Sequence, residues 1–84
     1  MIEEENNQEV RRTTLSRQLR EKAGLTREQL AAIIGDIAVS TLARWENNGV
    51  EPSMTRQQWH NFCRAVGVNF EDLPMVLSEK VLVA

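Results

Sequence analysis

Few side chains in this sequence are equipped for covalent or metal chemistry, and their grouping argues against both. The single histidine, His60, and the single cysteine, Cys63, stand at H-x-x-C spacing. Two ligands fall short of the four, or three plus water, that a zinc site needs, so no metal centre is expected. Cys63 also falls on an apolar helical stripe, where a thiol packs as a small hydrophobe. No nucleophile, base and orienting acid gather around the one histidine, so the chain is not expected to be an enzyme, and no cofactor is implied. What remains is recognition chemistry. Val39, Ser40 and Thr41 are followed by Arg44 and Asn48. An arginine can bond bidentately to guanine O6 and N7, serine and threonine can serve bases or phosphates, and an apolar group can touch a thymine methyl. Arg27 stands at the start of a helical pattern, where backbone amides and the positive end of the dipole converge on anions. Arg17, with Arg11 and Arg12, could reach flanking phosphates.

These residues need two helices to position them. The stretch Leu25–Gly49, LTREQLAAIIGDIAVSTLARWENNG, supplies both. Thr26 and Gln29 have capping-box spacing. Leu30, Ala31, Ile33 and Ile34 then recur helically over about 27–34, and Gly35 suits the closing turn. Ile37, Leu42 and Trp45 form a second apolar series running to Gly49. Asp36 can cap a helix beginning near Ile37, and Ser40 can start a shorter one. A link this short makes the two helices cross at a steep angle, as a helix-turn-helix does, and leaves Val39, Ser40, Thr41, Arg44 and Asn48 for the outer face.

The flanking chain reads as support. Helix 1 should start near Thr13 or Thr14 and run to about Ala23, with Leu15, Leu19 and Ala23 inward. Thr55 and Gln58 repeat the capping-box spacing ahead of a fourth helix over about 56–66. Its stripe of Trp59, Phe62, Cys63 and Val66 places both aromatic residues in the core, as Trp45 is in its own helix. Asn69 caps a short fifth helix with Phe70 and Leu73 inward. The expected architecture is therefore all-α, a compact five-helix domain over 12–74. A disordered acidic arm over 1–11 and an apolar tail over 75–84, MVLSEKVLVA, complete it. The tail's Val-rich alternation suits a strand that could pair with a second copy of the chain.

The 84 residues leave room for one core and contain no run of 18 apolar residues to span a bilayer. A polar, acidic start is unlike a secretory signal, and a lone cysteine fits a reducing cytoplasm. The formal charge of −2 is not the basic balance of a typical nucleic-acid binder. Its distribution is uneven, however: residues 1–10 carry −4, residues 11–70 carry +4 and the remainder −2.

Taken together, the segments Leu25-Thr26-Arg27-Glu28-Gln29-Leu30-Ala31, Gly35, Ser40-Thr41-Leu42-Ala43-Arg44-Trp45-Glu46-Asn47, Pro52-Ser53, Ala65-Val66-Gly67-Val68 and Phe70-Glu71-Asp72-Leu73 resemble the Cro/repressor-type helix-turn-helix domains of bacteria and phages. The resemblance spans about residues 13–74. It implies a sequence-specific transcriptional regulator that places helix 3 (about 37–47) in the DNA major groove; the Val-rich tail adds the expectation of a dimer, and the composition that of a cytoplasmic protein. By position it assigns Val39, Ser40 and Arg44 to base edges, Thr26 and Arg27 to phosphate, and Arg20 with Glu46 to a salt bridge between helices 1 and 3. Three features differ from the family pattern: a turn after Gly35 that is one residue longer, an extra asparagine at Asn48, and Val50 and Glu51 where basic residues are common. With the acidic total and apolar Val39, these motivate an alternative, a protein-interaction module of the same fold such as an antitoxin, antirepressor or adaptor.

Overall fold

In a computed structural model, which describes residues 11–83, four α-helices and one short sheet enclose a single core. The order is β1 (Arg11–Thr14), α1 (Leu15–Lys22), α2 (Arg27–Ile34), α3 (Val39–Asn48), α4 (Arg56–Val66), a single 3-10 turn (Phe70–Asp72) and β2 (Lys80–Val83). The five-helix, all-α expectation is therefore corrected. The fifth helix is only a 3-10 turn, and two strands lie outside the helical set. The acidic arm falls almost wholly outside the described residues; its last residue, Arg11, belongs to β1.

Local chemistry accounts for most boundaries. Both capping boxes form. The Gln29 amide donates to Thr26 Oγ1 (3.0 Å) while Gln29 Oε1 accepts from the Thr26 amide (2.9 Å), and Thr55 and Gln58 repeat the exchange at 3.2 and 2.9 Å. Thr14 is at once the last residue of β1 and the N-cap of α1, accepting from the Arg17 amide at 3.3 Å. The turn differs from both sequence readings. Asp36 does not cap α3 but sits at φ 58°, next to Gly35 at φ 87°, so two successive positive-φ residues redirect the chain. α3 starts at Val39 behind Ala38, which offers no side-chain cap.

The core holds Leu30, Ala31, Ile34, Leu42, Trp45, Phe62, Cys63 and Leu77. Trp59 is half-buried against it, edge-on to Phe62 and Phe70. Phe70, expected inside, is 62% exposed, because the 3-10 turn is too short to carry it under the helices. Leu77 is the larger correction. Although residues 75–84 have the composition of a tail, Leu77 is 2% exposed and the segment beyond it pairs antiparallel with β1, Arg11 opposite Val83 and Thr14 opposite Lys80. Donation from Leu15 and Ser16 amides to the Glu79 and Leu77 carbonyls (3.0 and 3.1 Å) carries the return on into the start of α1. Within this segment only Lys80–Val83 forms a strand, and its partner is the chain's own β1.

Candidate nucleic-acid interface

The two helices expected to meet DNA are locked to α1 by one buried charge cluster. Glu46, on the inner side of α3 with its side chain 2% exposed, accepts from Arg20 Nε at 2.7 Å and Nη2 at 3.0 Å. It also accepts from Arg27 Nε at 2.9 Å. Arg20 Nη1 bonds the Leu25 carbonyl at 2.7 Å, which ties the loop before α2 to the same group. The hydrogen bonds to Glu46 hold the Arg20 guanidinium above its ordinary pKa against the cost of burying it. The salt bridge between Arg20 and Glu46 is thus present, and Arg27 joins it.

Arg27 therefore has a second employment. Its Nη2 reaches Asn47 Oδ1 at 3.2 Å, so the side chain lies across the α2–α3 junction, 29% exposed. Thr26 accepts from the Gln29 amide, which leaves its hydroxyl hydrogen available to an outside acceptor. Arg17 pairs with Glu21 one turn along α1 at 2.9 Å. On α3, Ser40, Arg44 and Asn48 are exposed at successive four-residue steps and share one face, with Val39 exposed at its start and Thr41 half-buried beside them. No ion pair engages Arg44 among the described residues. Ala38 offers no side-chain cap, so no capping side chain occupies the first amides of α3 at the positive end of its dipole.

Sequence reasoning passed over two sets of positioning residues. The α4 side-chain amides hold the end of α2: Asn61 Nδ2 donates to the Ile34 carbonyl (2.9 Å), and Gln58 Nε2 donates to the carbonyls of Gly35 (2.9 Å) and Asp36 (3.3 Å). These are carbonyls that a helix end leaves unpaired, and the turn into α3 is pinned through them. Their three-residue spacing on a helix was visible, but the partner lay elsewhere in the chain. Glu51, noted only as an acid where a base is common, accepts from the amides of Leu77 (3.2 Å) and Ser78 (2.9 Å). Burial would push its carboxyl up, but those hydrogen bonds prevail and hold it below the usual range. At Gly49, which ends α3 in the left-handed region, an added Cβ would stand 3.6 Å from the Lys80 side chain and 3.8 Å from the Ser78 carbonyl. The C-terminal return thus packs against the end of α3.

Among the described residues, no group of three or more histidine, cysteine or acidic side chains is placed to hold a metal. Among the same described residues, no helix is long and apolar enough to cross a membrane.

The architecture is that of a helical module presenting one helix face on a braced pair. Among known proteins, the helix-turn-helix family model matches residues 17–56, from Arg17 in α1 to Arg56 at the start of α4, just under half of the chain. That segment is a helix-turn-helix domain of the Cro/repressor type, a family of DNA-binding regulatory domains. No curated protein and no solved structure matches the chain.

Proposed function

We propose that this protein is a sequence-specific transcriptional regulator that reads double-stranded DNA with α3 in the major groove. The observation that carries the reading is the exposed face Ser40–Arg44–Asn48 on a helix locked at its back by Glu46. Arg44 reads a guanine, Ser40 and Asn48 bond base edges or phosphate, Val39 meets a thymine methyl, and Thr41 supports the first turn. Thr26, Arg27 and Arg17 contact backbone phosphates from the flank, Arg27 through the nitrogen that its bonds to Glu46 and Asn47 leave over.

A second copy completes the reader, because a dimer engages two half-sites about 34–36 Å apart and a lone module this small binds weakly. Among the described residues β1 and β2 pair only with each other, and Leu82 is 62% exposed on β2, so strand pairing between copies would extend the sheet and cover that side chain. A cytoplasmic protein of bacterial or phage origin fits this role.

The test is selection from a randomised duplex pool at several salt concentrations, with mass measured by sedimentation. Arg44→Ala should relax preference at one base pair by about 1–3 kcal/mol. Arg27→Ala should weaken all duplexes alike and reduce the salt slope by about one. Absence of any duplex binding near 50 mM salt, where electrostatic attraction is strong, would reject the proposal. It would favour a protein-interaction module instead, for which the exposed Val39 at the start of α3 is the supporting observation.

A further inference from the structure

On the side of α4 away from Gln58 and Asn61 lies a groove of about 830 Å³ that the DNA-reading face does not use. Trp59 and Phe70 form its aromatic wall, edge to face with ring centroids 5.7 Å apart, and Cys63 lies at its base. Burial, with a contribution from Glu71, pushes the Cys63 thiol up, so the base of the groove is neutral at physiological pH. Arg56, His60 and Arg64 stand at successive four-residue steps along one exposed face of α4 and line the same groove. Neither guanidinium has an ion-pair partner among the described residues.

We propose that this groove is a binding site for a small organic anion with a flat apolar body, such as an aromatic carboxylate or sulfonate. Three observations select that occupant. The volume lies within the roughly 300–1,000 Å³ of small-molecule sites. The nine lining residues are far fewer than the 20–30 or so that each side of a stable protein interface supplies, which disfavours a folded partner. The charge is one-signed: the lining has two arginines without an ion-pair partner among the described residues and no acidic residue, and its apolar part is Trp59 and Phe70 beside Cys63 and Val68. The rings take the body of the ligand, with Phe70 losing its 62% exposure beneath it. Arg56 and Arg64, with His60 between them, take its anionic group in charge-assisted hydrogen bonds.

The test uses the full chain and two fluorescent probes of nearly the same ring body, 8-anilinonaphthalene-1-sulfonate and the uncharged N-phenyl-1-naphthylamine. The parent protein should bind the sulfonate saturably with one site per chain. R56A/R64A should weaken the sulfonate by about tenfold or more while changing the neutral probe by less than about threefold. Phe70→Ala should weaken both probes. Far-UV circular dichroism and a cooperative melt establish that each variant is folded. If Phe70→Ala fails that check, the arginine pair, both exposed, decides alone. No saturable binding by the parent up to about 1 mM would overturn the proposal. So would an unchanged sulfonate affinity in R56A/R64A, or equal losses for both probes in that variant. A sedimentation change in probe-free R56A/R64A without a change in probe affinity would assign the groove to a second copy of the chain, and would overturn it too.

Discussion

Glu46→Gln is the single replacement that most directly tests how α1, α2 and α3 are held together. The carboxylate is 2% exposed and accepts three hydrogen bonds from two guanidiniums, at 2.7, 3.0 and 2.9 Å. An amide of the same shape keeps one acceptor oxygen and turns two N–H donors towards the arginines. Arg20, 8% exposed, then keeps its bond to the Leu25 carbonyl but loses its counter-charge. Removing one partner of a buried ion pair costs about 3–5 kcal/mol. A small domain has about 5 kcal/mol to lose. A loss of about 3 kcal/mol multiplies the unfolded fraction by more than 100 or so. The same geometry ranks the other variants. Arg20→Met should cost less, because Glu46 keeps Arg27 at 2.9 Å. Arg27→Met should cost about 1 kcal/mol or less, because its side chain is 29% exposed and water screens the pair. R20M/E46L, which removes the buried charges together, should recover most of the Glu46→Gln loss. Urea unfolding followed by far-UV circular dichroism and by tryptophan fluorescence measures all four. If Glu46→Gln unfolds within about 1 kcal/mol of the parent, or Arg27→Met costs as much as Glu46→Gln, the reasoning fails.

Three further outcomes are expected. Leu77→Ala should destabilise the whole domain by about 2–5 kcal/mol, as a fully buried leucine does and a dangling tail would not, in the same urea titration. Glu51→Ala should raise the hydrogen-exchange rate of the Leu77 and Ser78 amides and of the β1–β2 ladder, while α2 and α4 keep their protection. The parent should show the same loosening in acid. The folded-state pKa of Glu51 is lowered, so its contribution is whole above the unfolded glutamate value of about 4.3 and is lost as pH falls through the lower folded value. Exchange measured across pH 2.5 to 6 (roughly the span that brackets that value) should show the strand amides losing protection before the helical ones. Asn61→Ala should cost about 1–2 kcal/mol, by leaving the half-buried Ile34 carbonyl without its donor, and Asn61→Asp more, because a carboxylate cannot donate; thermal melts suffice to rank them.

The parts of the fold legible in the sequence are those set by neighbours in the chain. Thr26 with Gln29 and Thr55 with Gln58 define two helix starts because a capping box is a three-residue exchange, and both form. The stripe of α4 is readable for the same reason. The failures are non-local. Arg11-Arg12-Thr13-Thr14 shows no apolar alternation, and only its two β-branched threonines favour a strand. It becomes one because residues 80–83 return to it from the far end of the chain. Leu77 could not be told from any other leucine of an apolar tail until Glu51 took its amide. Asp36 is a cap by residue type, but the cap position belongs to Ala38, two residues on, once Asp36 takes up the left-handed turn. At the candidate interface, the exposed face of α3 followed from helical spacing. The double role of Arg27 did not, since its partner Glu46 is 19 positions away.

The acidic total of the chain can be reconciled with a DNA-binding helix-turn-helix segment by asking which charges a duplex would meet. Glu46 is closed inside the Arg20–Arg27 cluster, and Glu51 is engaged by the amides of the C-terminal return. The exposed face of α3 carries Arg44 and no acid. The cations left for phosphate are nonetheless few: Arg17 is shared with Glu21, and Arg27 with Glu46 and Asn47. Two to three phosphate contacts per copy correspond to a slope of log affinity against log salt of about −2 to −3, whereas a dimer making both sets would show about −4 to −6. Fluorescence anisotropy over a salt series, read beside the mass of the complex, separates the two. A slope within error of zero would mean that these arginines spend their charge wholly within the protein, and that α3 meets something other than a phosphate backbone.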